Sequence, residues 1–108
     1  MRGIGLLFFA SGVVYVTLGM LWGIHMGIAQ DFSLAPAHAH LNLVGFVTMA
    51  LAGIFYQLTP RAAASRLAQV HFALATLGVW TMVPGIVLAL PGLGEGLAIA
   101  GSLATLAA

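Results

Sequence analysis

Three apolar runs fill most of this chain, and their length limits what it can fold into. A helix rises about 1.5 Å per residue and needs about 20 apolar residues to cross a bilayer's hydrocarbon layer. Ile4 to Ala29 and Leu67 to Leu90 meet that length, and Leu41 to Leu58 meets it once His38 and His40 extend it upstream. The runs are too long for strands, and no alternating pattern competes with them. Composition agrees: 62% of the 108 residues are hydrophobic and 5% are charged, against roughly a quarter charged in a soluble domain. Three basic and two acidic side chains cannot keep such a chain in water, so its solvent is lipid. A net charge of +1 gives no case for a nucleic acid or an acidic partner. With no cysteine, disulfides, thiolate metal sites and iron–sulfur clusters are excluded.

The connections are short. Gln30-Asp31-Phe32-Ser33 breaks the first run, and Pro36 precedes the second. Pro60 and the Arg61–Arg66 loop end the second, and Pro91 to Gly96 forms a turn after the third. Pro84 lies inside the third run, where it removes a backbone hydrogen bond. Leu97 to Ala108 starts a fourth helix of about twelve residues, too short to cross upright, so tilt or a longer chain is expected. Arg2 is a minimal basic start, and the apolar run after it outlasts a signal-peptide core, so the first helix is read as retained. Short loops force neighbouring helices antiparallel. The expected fold is all-α: residues 1–108 as one transmembrane domain, a four-helix up-down bundle with a truncated fourth helix. Arg2, Arg61 and Arg66 share one side and Asp31 and Glu95 the other, which places the N-terminus in the cytoplasm of a plasma-membrane protein.

Ionisable groups inside a membrane are costly and mark function. His25 stands about one turn before the outer end of the first helix; His38 and His40 stand in the first turn of the second, at similar depth. His71 falls at the opposite end of the third helix and cannot share an ion with them. At about 100° per residue His38 and His40 point nearly opposite ways. His38 shares a stripe with Asn42, Gly45, Met49 and Tyr56, small and polar enough to face a helix or a flat ligand. His40 shares one with Val44, Val47, Leu51 and Ile54, fit for lipid or packing. Two imidazoles at the mouth of an apolar span suggest a bound metal or metal cofactor, with either histidine as ligand, His25 as partner and Asn42 supporting the ligand's second N–H. Each residue also has a plainer reading, as an interfacial or interhelical hydrogen bond.

Other features have double readings too. Gly19, Gly23 and Gly27 recur every four residues and serve packing within one bundle or a homodimer contact. Trp22, Phe32 and Tyr56 sit near span ends as interfacial aromatics do. Trp80 lies mid-span, where it packs on a neighbour or on a macrocycle. Met20, Met26, Met49 and Met82 are scattered, unlike a methionine-rich copper path. No acid–base pair, nucleophile triad or phosphate loop is present.

The segment from His38 to Pro60, HAHLNLVGFVTMALAGIFYQLTP, resembles helix II of the catalytic subunit of haem–copper oxidases, most of all the nitric oxide reductase branch. In that family a His-X-Asn-Leu pattern opens a helix ending in Gly, Tyr and Pro, and the histidine binds low-spin haem b near the outer face. The resemblance implies His40 as ligand, because Asn42 follows at the family's spacing. Counting back from Pro60 leaves a one-residue mismatch that keeps His38 as the alternative. It covers about 23 residues. The family draws its second haem ligand and its copper–haem centre from later helices that this sequence does not contain, so a haem ligand is carried over and the enzyme activity is not. The expectation is a haem b-binding membrane protein for electron transfer, haem handling or sensing, rather than an enzyme, associating as a homo-oligomer with a redox partner. The alternatives are copper or zinc held by His25, His38 and His40, or a structural subunit without cofactor.

Overall fold

A computed structural model describes residues 1–108, all helical or loop. The first span is α1 (Gly3–Ala29), which ends on Gln30 in the left-handed region at φ 51°. The second span, Ala35–Leu58, is continuous but built in three pieces. These are α2 (Ala35–His40), a π-helical stretch over Leu41–Thr48, and α3 (Met49–Leu58). A one-turn helix α4 (Pro60–Ala63) leads to the third span, α5 (Arg66–Ala89), and α6 (Gly96–Ala107) follows. All three spans are long and apolar enough to cross a membrane. Their bounds lie close to those expected from hydropathy, since composition and length set them.

The start of each helix has a local cause. Pro36 sits in the first turn of α2, where its missing N–H costs nothing. Ser65 caps α5 by accepting the Ala68 N–H on its hydroxyl at 3.3 Å. Pro84 lies inside α5, so the Trp80 carbonyl has no i+4 donor.

Packing depends on glycine. A Cβ on Gly53 of α3 would lie 2.8 Å from the Phe9 nitrogen and 2.9 Å from the Gly5 oxygen of α1. Backbone thus rests on backbone between α1 and α3, as small residues permit in membranes. Gly85 and Gly101 do the same between α5 and α6, against Ala98 and Met82. The core is thin: 20 of 108 residues are buried and none is polar or charged. Large apolar side chains such as Leu21, Ile24, Leu51 and Trp80 are exposed along the spans, as expected where the surroundings are lipid.

The arrangement is three spans with a short helix rather than a closed four-helix bundle. α6 packs essentially on α5 alone. The principal extents are 46 × 29 × 12 Å, the shortest on the scale of one helix diameter. Burial within a single chain is therefore lower than a bundle core would give.

Candidate functional site

His38, His40 and Asn42 lie where α2 passes into the π-helical stretch. The stretch packs closely on α1. Gly45 carries the Tyr15 ring of α1, 3.1 Å from where a Cβ would stand, and a Cβ on Gly12 would meet the Phe46 carbonyl at 3.2 Å. Widened i→i+5 turns fit this contact, and Thr48 follows the same spacing, donating its hydroxyl to the Leu43 carbonyl at 3.0 Å. Such turns gather at functional sites.

The two histidines are held differently. His40 is exposed, and its Nδ1–H donates to the Pro36 carbonyl at 2.7 Å. A carbonyl only accepts, so in the neutral ring the proton is on Nδ1 and Nε2 carries a bare lone pair. A ring with one N–H fixed on a backbone carbonyl and the other nitrogen free is the form in which histidine ligates a metal. His38 is half-buried and turns inward. Its Nε2 lies 2.9 Å from the Gly19 carbonyl and 3.2 Å from Asn42 Nδ2. One ring nitrogen cannot serve both: with its proton it donates to Gly19, without it it accepts from Asn42. Either way Nε2 is used within the chain. Trp22 closes this side, edge-on to the His38 ring at 6.0 Å.

The glycine stripe of α1 makes the room. Gly19 lies against the Asn42 amide and Gly23 against His38 Nε2, whereas nothing lies within 4 Å of a Cβ on Gly27. Two of the three glycines are thus occupied by packing inside the chain. Asn42 supports His38 and not His40, and its buried Oδ1 has no partner. The stripes expected from helical periodicity appear with one departure: Gly45, Met49 and Tyr56 are buried below His38, and Val47, Leu51 and Ile54 are exposed below His40, but Val44 is half-buried against the core.

His25 is exposed on α1. It adds a positive influence on Asp31, whose carboxyl is held below the ordinary carboxylate range first by the Ser33 hydroxyl and then by the Ser33 N–H. That N–H donates to Asp31 Oδ1 at 3.0 Å. His25, His38 and His40 do not converge: no three histidine, aspartate or glutamate side chains are placed to hold one metal ion. His71 lies at the other end, with Nδ1 hydrogen-bonded to the Tyr56 hydroxyl at 2.9 Å. Phe8 packs on both rings, at 4.8 Å from His71 and 5.4 Å from Tyr56.

Sequence reasoning missed one polar contact. Trp80 Nε1–H donates to the Tyr15 hydroxyl at 3.1 Å, linking helices 65 residues apart in sequence. Nearby, Tyr15, Leu18, Leu41, Val79, Trp80 and Pro84 line a crevice of about 180 Å³. Small-molecule sites run from about 300 Å³ upward, so this crevice does not enclose a porphyrin.

Fold and site together define a multi-pass membrane protein with a histidine pair at one end of its second span. The chain is 38% identical over 84 residues to a haem–copper oxidase subunit I+III of Aeropyrum pernix, covering 68% of this chain and 10% of that protein. This supports a distant relationship with the haem–copper oxidases, over about a tenth of the relative's length. No family model matches the chain, and no solved structure matches it.

Proposed function

We propose that this protein binds haem b through His40 Nε2, for electron transfer, haem handling or sensing. The observation that carries the reading is the state of the His40 ring: Nδ1–H is fixed on Pro36 at 2.7 Å and Nε2 is free on an exposed surface. The similarity to a haem–copper oxidase subunit supports haem as the class of cofactor, and the resemblance of the His38–Pro60 segment suggests His40 and the nitric oxide reductase branch.

The lack of a three-donor cluster within one chain favours haem over the copper or zinc alternative. A bare copper or zinc ion needs three or four protein donors. A porphyrin supplies four nitrogens itself and asks the protein for one or two axial ligands. Val47, Leu51 and Ile54 continue the exposed surface below His40, an apolar bed for one face of a macrocycle. His38, its Nε2 already engaged with Gly19 and Asn42, is the second choice. Because His25 is not gathered with His40, a second ligand would come from a neighbouring copy, or from His25 only after a rearrangement of the outer end. When bound, haem would supply the iron that takes up and releases an electron, and ligation by two histidines would favour that role over gas binding. A homo-oligomer and a redox partner belong to this reading, as does a cytoplasmic N-terminus, which the arginines at one end favour.

The test is the optical spectrum and metal content of the protein purified after expression with ample haem. A sharp Soret band with stoichiometric iron is expected. A colourless protein carrying copper or zinc, or no metal, would overturn the reading.

A further inference from the structure

The three arginines share one end of the molecule. Arg2 precedes α1, Arg61 lies in α4 and Arg66 opens α5, and the spans between them run antiparallel. Both carboxylates, Asp31 and Glu95, lie in the loops at the other end, a full span away. None of the three cations therefore has an acidic partner in the chain. At this end a cavity of about 410 Å³ opens between the start of α1 and the junction of α3 with α4. Its polar wall is Arg2, Gln57 and Tyr56, and its apolar wall includes Ile4, Pro60 and Ala63. The Tyr56 hydroxyl is tied to His71 at 2.9 Å, which keeps that wall in place. Arg2 and Gln57 are exposed and have N–H groups to donate.

We infer that this cavity binds the phosphate head group of an acidic phospholipid, with Arg2 as the charged contact and Gln57 as a second donor. Three observations meet there. A guanidinium without a carboxylate favours an oxyanion, which its planar fork matches. The cavity lies at the boundary of the apolar spans, where lipid head groups are. Its mixed lining suits a ligand that is anionic at one end and hydrocarbon at the other, as a free inorganic anion is not.

Native mass spectrometry of the detergent-solubilised protein with phosphatidylglycerol or phosphatidylcholine tests this. Wild type is expected to retain one phosphatidylglycerol in preference to phosphatidylcholine. Arg2→Gln should lower that retention about fivefold, the factor expected of one basic side chain at an anionic membrane surface. Arg66→Gln, which removes a charge at the same end but outside the cavity, should leave it unchanged. Gln57→Leu is the second variant, expected to weaken retention without altering charge. Circular dichroism confirms that each variant keeps its helices. Equal retention of the two lipids, or an equal loss in Arg2→Gln and Arg66→Gln, would overturn the inference. Displacement of the lipid by inorganic phosphate would assign the cavity to a free anion instead.

Discussion

Gly53→Ala places one methyl group where two backbones touch. Its Cβ would stand 2.8 Å from the Phe9 nitrogen and 2.9 Å from the Gly5 oxygen. Favourable contact lies at about 3.5–4.0 Å, so the helices must part by roughly 0.5–1 Å. A gap of that size forfeits about a quarter to a half of the dispersion well for the atoms facing across it. Neither neighbour can rotate away, because both are main chain. The expected cost is therefore in the usual overpacking range, about 1–3 kcal/mol, or roughly 5- to 150-fold in the unfolding equilibrium. Gly27→Ala is the matched control, since nothing lies within 4 Å of its Cβ. Reversible unfolding in mixed micelles, followed by circular dichroism, measures both variants. If Gly53→Ala unfolds at the same denaturant concentration as wild type and Gly27→Ala, then α1 and α3 do not meet backbone to backbone and the packing argument fails.

Tyr56→Phe removes the 2.9 Å hydrogen bond to His71 Nδ1 and should cost about 0.6 kcal/mol, up to ~1.7, the range for interhelical bonds in membranes; the same unfolding assay reads it. Trp80→Phe and Tyr15→Phe, singly and together, form a double-mutant cycle on the 3.1 Å bond between them. A coupling of about 0.5–1.5 kcal/mol is expected, and additive losses would show that the bond contributes nothing. The Asp31 carboxyl titrates below the ordinary carboxylate value because Ser33 stabilises the ionised form. The loop is therefore stabilised above that ordinary value and loses this as pH falls through the lowered one. Ser33→Ala, followed by NMR titration of the Asp31 side chain, should move the midpoint up; an unmoved midpoint would remove the serine from the explanation.

The spans were legible because a helix in lipid must be long and apolar, and Ile4–Ala29 and Leu67–Leu90 could be nothing else. The facing of His38 and His40 was legible too, since two residues apart on a helix means nearly opposite sides. Five features were not. The π-helical stretch over Leu41–Thr48 lies where Gly45 meets the Tyr15 ring, a contact between helices that no local pattern carries. The Trp80–Tyr15 bond likewise depends on how α5 is set against α1. Asn42 was read as support for a ligand, but it sits beside the inward-turned His38 because Gly19 leaves space there. The state of the His40 ring depends on Pro36, which sequence reading treated only as a helix start. The fourth helix was expected as a short member of an up-down bundle; Gly85 of α5 and Gly101 of α6 let it lie directly against α5.

The comparison of His40→Ala with His38→Ala after haem reconstitution bears most directly on the functional reading. His40 has its free nitrogen on an exposed ring, whereas His38 is half-buried and tied to Gly19 and Asn42 through Nε2. The Soret band should therefore vanish in His40→Ala and return with added imidazole, while His38→Ala keeps most of its haem. Full haem in His40→Ala, with loss only in His38→Ala, would contradict the assignment and move the iron to the inward-facing ring.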